Sequence, residues 1–277
     1  MALSLPAVDW ADVTLDGHVL EVVFKGTGSG NRMGPRFWDE APAFFHAIDR
    51  ADAVRAVLLR GAGKRFSTGL DLTAMAHVVA PVYQQGSSAR ARRDLLDVIL
   101  GMQQAPLAVA LCRKPIVAAI HGHCIGGAID LVAACDIRLA TADATLSVKE
   151  AAVGIVADLG TLFWLPRIVG QGHARELAYT ARDVRGAEAA TIGLVNRALP
   201  DADALLADAR ATCAAIAANA PLVVEGTKEM LNRDLVADLR SHLSQVATWN
   251  TSFLATQDLQ EAVTAFFEKR APAYTGD

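Results

Sequence analysis

Apolar positions in the first half of the chain fall into short β-branched runs, which predict strands over residues 18–24, 55–60, 115–120, 137–140 and 145–148. Between them, apolar residues recur at three and four spacing, predicting helices over 37–50 and 90–104, and an apolar helix over 127–134 after a glycine turn. From Gln171 onward the pattern is almost wholly helical, with segments at 174–180, 187–192, 202–218, 221–232, 235–255 and 259–269 and a single possible strand over 195–199. Pro200-Asp201 marks the change, so the chain divides into an α/β core over 1–199 and a helical region over 200–277. No repeat of fixed period and no low-complexity tract interrupts it.

With 277 residues, 52% of them apolar, the chain can bury one large core. Lys plus Arg total 26 against 30 Asp plus Glu, a net charge of −4, so nothing draws it to nucleic acid or to an anionic membrane, and an anionic ligand must meet a local cluster of cations. Cys112, Cys124, Cys135 and Cys213 form no C-x-x-C pair, which fits a reducing setting. Residues 1–13 contain Asp9 and Asp12, no Lys or Arg and no apolar run of signal or membrane length, and Thr275-Gly276-Asp277 is no peroxisomal address; the expectation is a cytoplasmic protein.

Two glycine clusters invite a nucleotide reading. Gly26-Thr27-Gly28-Ser29-Gly30 lacks the glycine at the sixth position, and Gly61-Ala62-Gly63-Lys64 lacks both the loop length and the following Ser or Thr, so turns account for them better. His121 and His123 would face the same way on a strand, but no acidic or cysteine partner completes a metal site, and no metal is expected. More informative is the run from Lys114 to Ala128, an apolar strand, a turn bearing Gly122, Gly126 and Gly127, and then a helix. Its glycines permit close approach of a ligand, and the first helical turn offers free N–H groups to an anion. Tight helix-to-strand packing is the structural alternative. The loop Lys64-Arg65-Phe66-Ser67-Thr68-Gly69-Leu70-Asp71-Leu72 is ordinary alone, yet it offers the second donor that an oxyanion hole requires.

These two segments, in this order, resemble the signature regions of the crotonase (enoyl-CoA hydratase/isomerase) superfamily. Similarity continues through residues 142–170 and 186–195 to the closing Phe267-Glu268-Lys269-Arg270-Ala271-Pro272. The resemblance implies a crotonase (ClpP-like) α/β fold of repeated ββα units with a helical C-terminal trimerisation region. It implies an oxyanion hole made by the backbone N–H groups of Leu70 and Gly127, and an acyl-CoA thioester site formed by Ser67, Gly69, Leu70, Asp71, Leu72, Thr73, Gly126, Gly127, Ala128 and Lys269. It further implies a homotrimer or homohexamer, for which the apolar face of Leu243, Val246, Trp249 and Phe253 is the expected contact, and no cofactor beyond the coenzyme A of the substrate. Lys25, Arg32, Lys64, Arg65, Lys269 and Arg270 are candidate partners for its phosphates. Ala128, where close family members carry a third glycine, suggests a narrowed acyl channel, and Gly34 stands where the family often has Asn.

Three acids lie among apolar neighbours: Asp130, Glu150 and Asp158. Burial raises a carboxyl's pKa toward the range useful for proton transfer. Their structural alternatives are a turn hydrogen bond for Asp130, an ion pair for Glu150 and a helix cap for Asp158. By resemblance, hydratases carry glutamate where Asp130 stands and no acid where Asp158 stands, while the triple pattern is similar to the Δ3,5-Δ2,4-dienoyl-CoA isomerase branch. C2 and C6 of a dienoyl chain lie about 5 Å apart, more than the ~3.8 Å between successive Cα atoms, so two acid–base groups are needed. The resemblance makes Glu150 the base at C2, Asp158 the acid at C6 and Asp130 the group that holds the dienolate. An enoyl-CoA hydratase is the alternative activity, and a non-catalytic RNA-binding member, disfavoured by the acidic balance, is the alternative class.

Overall fold

The computed structural model describes residues 4–75 and 88–276; residues 1–3 and Asp277, which entered the readings of the two termini, lie outside them. Six strands form the main sheet: β1 (Ala11–Asp16), β2 (Val19–Phe24), β3 (Ala56–Gly61), β4 (Ile116–Ile120), β6 (Ile137–Thr141) and β9 (Arg197–Leu199), in the order β1-β2-β3-β4-β6-β9. Only β1 runs antiparallel to its neighbour. A smaller sheet joins β5 (His123–Ile125), β7 (Thr145–Ser147) and β8 (Val184–Arg185).

The continuous apolar runs of β3 and β4 follow from burial on both faces. Val57, Leu59, Ile116, Ala118 and Ile120 point into the main core, while Ala56, Leu58, Val117 and Ala119 point the other way. On the first face sit α1 (Pro35–Asp49), α3 (Gln104–Leu111) and α4 (Gly127–Ala133). Pro35 opens α1 at a position where its missing N–H costs nothing, and the helix then buries Phe37, Trp38, Phe44, Phe45 and Ile48, each contributing about 1.5–3 kcal/mol. On the second face α7 (Ala202–Ala217) lays down Leu205, Ala209 and Cys213, so the first helix beyond residue 200 covers the sheet directly.

Between α1 and α3 runs α2 (Ala89–Met102). Together α2 and α3 are long and apolar enough to cross a membrane by length and composition, but Leu95, Ile99 and residues 105–110 of α3 pack inside the protein. The sequence β4-β5-α4 is followed by β6-β7 and α5 (Thr161–Thr180), giving the repeated strand–strand–helix units. Sequence reading saw α5 only from residue 174, because Gly160, Pro166 and Gly170 break its pattern; Gly170 has φ 77°, and two helices meet there at a kink. Strand β1 was missed because it is an edge strand whose alternate positions Asp12, Thr14 and Asp16 face solvent.

Past α6 (Gly186–Thr191), α7 and α8 (Pro221–Asn232), the chain returns as α9 (Leu235–Phe253), which packs on α2, and α10 (Gln257–Glu268), which packs on the 3-10 turn Glu150–Val153. One expectation is corrected here. Leu243 is 4% exposed and belongs to the protein's own core, because the face of α9 that carries it turns inward against α2 and α5, leaving Trp249 and Phe253 on the exposed side.

Candidate active site

Strand β3 ends at Gly61 and strand β4 at Ile120, and the loops that follow them pair with each other. Ser67 N–H donates to His123 O at 2.9 Å and Ile125 N–H to Ser67 O at 3.1 Å, a short parallel pairing outside the main sheet. It presses Gly69-Leu70 against Gly126-Gly127. Gly69 has φ 82°, and a Cβ there would lie 2.4 Å from Ile125 O and 3.1 Å from Gly127 N, so only glycine fits. Ser67 itself is fully buried: its Oγ donates to Asn31 O at 2.7 Å and accepts from Gly69 N–H at 3.1 Å, bracing the loop from behind.

The orientation of the two candidate donors follows from their peptide planes. Met33 N–H donates to Gly69 O at 2.8 Å, and because the peptide is trans the Leu70 N–H points the opposite way, into the cavity. Gly126 O accepts from Ile129 N–H at 2.6 Å inside α4, which turns the Gly127 N–H outward from the helix start. Neither N–H has a partner among the described residues. Leu70 N lies 3.7 Å from where a Gly127 Cβ would stand, so the two amides flank one point.

That point belongs to a cavity of about 250 Å³ lined by Leu70, Gly126, Gly127, Asp130, Glu150 and Asp158, with an apolar wall from α2 (Leu95, Val98, Ile99, Met102) and Leu254 and Phe266 from the C-terminal part. All three predicted carboxylates therefore share one chamber with both amides. Asp130 is 1% exposed, and its Oδ1 accepts from Thr161 N–H at 2.6 Å. It is thus Asp130, reaching across, that caps α5, and not Asp158. Glu150 opens the 3-10 turn and places Oε1 3.4 Å from the position of a Gly126 Cβ, while its Oε2 is buried without a hydrogen-bond partner. Asp158 Oδ2 accepts from Asn250 Nδ2 at 2.7 Å.

Burial moves all three carboxyls upward. Glu150 rises to about 8, from desolvation and then from the negative charges of Asp130 and Asp158. Asp158 rises to about 7, from desolvation, with the Asn250 bond opposing it and Asp130 adding to it. Asp130 rises only to about 6, because the Thr161 N–H favours its charged form against desolvation. Groups this close titrate together. A carboxyl whose folded pKa exceeds its unfolded value binds more protons when folded, so stability falls as pH rises from about 4.5 through about 8. Glu150→Gln, which removes the charge that burial opposes, is therefore expected to melt several degrees above the wild type at pH 8.5 and level with it at pH 4, measured by calorimetry.

Several predicted binding residues sit elsewhere. Ala128 is fully buried in the main core, away from the chamber, so its methyl does not narrow an acyl channel: α4 turns that side toward the sheet. Asp71 and Thr73 line an adjoining mouth of about 530 Å³, together with Arg32, Lys149 and Arg270, and Leu72 lines both the chamber and the mouth. Of the six candidate phosphate partners, Arg32 and Arg270 lie there, Arg32 3.4 Å from Asp71 and Arg270 paired with Glu261 and Glu268, while Lys25, paired with Asp12, and Lys64, Arg65 and Lys269 do not line it. Lys149, overlooked in the sequence because it reads as one more surface cation, is the third basic group. His121 and His123 do not share a strand, since a turn at Gly122 separates them and His121 Nε2 lies 3.0 Å from Gly63 O. Among the described residues no three His, Cys, Asp or Glu side chains gather as a metal site, and all four cysteines are free and buried. A larger cavity, of about 780 Å³, lies between α8 and the core, but its Asp136 is neutralised by Lys228 at 2.7 Å.

Paired amides facing carboxylates in an apolar chamber define a protein that can stabilise an oxyanion while protons move on carbon. The chain belongs to the enoyl-CoA hydratase/isomerase family, whose sequence profile matches residues 15–277. It is 39% identical over 259 residues to the peroxisomal Δ(3,5)-Δ(2,4)-dienoyl-CoA isomerase of Arabidopsis thaliana, covering 94% of this chain and 93% of that one. It is 41% identical over 255 residues to the mitochondrial enzyme of that name from Homo sapiens, covering 91% and 77%. The fold superposes on the crystal structure of an enoyl-CoA hydratase/isomerase from Pseudoalteromonas atlantica T6c with a TM-score of 0.82 at 25% identity, covering 96% of this chain and 100% of that one. These relatives overturn the cytoplasmic expectation, since they are named as peroxisomal and mitochondrial proteins. That expectation took compartment from missing terminal signals and from free thiols, and free buried thiols fit any reducing compartment.

Proposed function

We propose that this protein is a dienoyl-CoA isomerase that moves a proton from C2 to C6 of a 3,5-dienoyl-CoA, giving the 2,4-dienoyl-CoA, in the breakdown of unsaturated fatty acyl chains. The observation that carries the reading is the joint presence, in one chamber, of the unpartnered Leu70 and Gly127 N–H groups and the three carboxylates. With the thioester oxygen between the amides, C2 lies next to the hole, on the side of Glu150, whose Oε1 stands beside Gly126. Glu150 removes the C2 proton, and the C–H electron pair passes into a dienolate whose negative oxygen the amides hold. Asp158 then gives its proton to C6. The double bonds move from 3,5 to 2,4, leaving Glu150 protonated and Asp158 ionised. Asp130 remains bound to the start of α5 and holds the extended dienolate geometry. The reaction balances without redox change, and coenzyme A enters only as part of the substrate.

The cycle needs Glu150 ionised and Asp158 protonated together. Their values of about 8 and about 7 lie close, and one pKa unit is about 1.4 kcal/mol, so redistributing a proton between them costs little. A bell-shaped dependence of kcat/KM on pH is expected, with its maximum between about 7 and about 8 and both limbs set by the carboxyl group as a whole.

The Arg32, Lys149 and Arg270 mouth suits the phosphates of coenzyme A. Exposed Trp249 and Phe253 on α9, with Leu222, Val223 and Leu231 on α8, support assembly into a trimer or hexamer. The test of the activity is to add a 3,5-dienoyl-CoA and follow the ultraviolet band of the 2,4-dienoyl product. Wild type should convert it, and Asp158→Asn should lower the rate by about 10²–10⁴-fold. An unchanged rate in Asp158→Asn would remove the C6 role, and hydration of a 2-enoyl-CoA in place of isomerisation would make the protein a hydratase.

A further inference from the structure

Asp158 enters the chamber from the irregular segment before α5, and the groups that fix it come from two segments far away in sequence. Asn250 of α9, 2% exposed, donates through Nδ2 to Asp158 Oδ2 at 2.7 Å and to Val156 O at 2.8 Å. The second contact settles the orientation of the amide: a backbone carbonyl only accepts, so the NH2 must face it, and its two hydrogens serve both partners. Gln103, between α2 and α3 and also 2% exposed, donates through Nε2 to Asp158 O at 2.7 Å and to Leu243 O at 2.9 Å. Side chain and backbone of Asp158 are thus each held by a buried amide. Beyond Asn250, only the residue's own backbone N–H favours the charged carboxyl, and no other side chain among the described residues donates to it.

We propose that Asn250 is a positioning residue for the C6 proton donor: by occupying Oδ2 of Asp158 it leaves Oδ1 as the oxygen that carries the proton and faces the acyl chain. This rests on the isomerase reading. An acid with two free oxygens could place its proton on either, or turn toward Glu150, and only a proton on the oxygen facing the acyl chain reaches C6. The titratable groups lining the chamber with Asp158 are Asp130 from α4, Glu150 from the 3-10 turn and Lys149 beside it, whose Nζ is engaged by Asp183 and Ala181 O; α2 contributes only apolar side chains. Asn250 is the larger of the two donors that offset burial at Asp158, the other being the residue's own backbone N–H, so its loss must raise the proton affinity of that carboxyl.

The test uses Asn250→Leu and the smaller Asn250→Ala, the second guarding against a packing failure in the first. Both should keep KM within about twofold and lose about 10- to 100-fold in kcat, the scale of one hydrogen bond to a charged group. The basic limb of the kcat profile should move up by roughly one pH unit, because Asp158 stays protonated to higher pH. The carboxyl carbon of Asp158, labelled with carbon-13 and assigned through Asp158→Asn, should show the same upward move in an NMR titration without substrate. A fall in kcat with both the limb and the NMR midpoint unmoved would reduce Asn250 to a structural part and overturn the proposal. Absence of isomerisation by wild type would instead overturn the isomerase reading, because the NMR titration reads Asn250 independently of turnover.

Discussion

Glu150→Gln is expected to lower isomerisation by about three to four orders of magnitude while leaving substrate binding nearly intact. The amide keeps the shape of the neutral acid and cannot accept a proton from C2. Asp130 is held at Oδ1 by the start of α5 and Asp158 at Oδ2 by Asn250, so neither carboxyl is free to replace it. Glu150 Oε2 has no hydrogen-bond partner, so exchanging the oxygen for an NH2 strands no protein donor that was satisfied before. The variant should fold, melt higher above neutral pH and bind a product analogue. Retention of more than a tenth of the wild-type rate would move the base elsewhere.

Gly69→Ala should cost about 10²–10³-fold in kcat, the loss that follows removal of one oxyanion donor, or about 3–4 kcal/mol. The reason is geometric. A methyl at residue 69 would collide with Ile125 O at 2.4 Å, and φ 82° disfavours any side chain, so the loop must retreat and carry the Leu70 N–H away from Gly127. At Gly127 a methyl meets nothing closer than 3.7 Å, so Gly127→Ala should fold normally and yet crowd the oxygen beside the Leu70 N–H. Comparing the two separates loss of a donor with strain from loss by obstruction, and steady-state kinetics with melting curves read both.

The chamber was legible in the sequence because its parts contradict their surroundings. Glycines at 69, 126 and 127 interrupt strand and helix patterns, and acids at 130, 150 and 158 stand among apolar residues where an idle charge would only cost stability. Asn250 and Gln103 were invisible by the same criterion. A polar amide on an amphipathic helix looks solvated, and only the packing of α9 on α2, between segments some 140 positions apart, buries them. The mouth was half legible for a related reason: Arg32 and Arg270 stood out by their places beside motif residues, whereas Lys149 gains its role from the folding of α10 over the 3-10 turn. Ala128 shows the limit of reading neighbours in sequence as neighbours in space, since one step along α4 rotates its side chain from the chamber into the core.

The account stands on the Leu70 and Gly127 amides converging on the thioester oxygen. Infrared difference spectroscopy of a bound acyl-CoA analogue, labelled with carbon-13 at the thioester carbonyl, reads that contact directly. The carbonyl band should shift to lower frequency on binding to wild type and return toward its solution position in Gly69→Ala. A band at its solution frequency in the wild-type complex would contradict it.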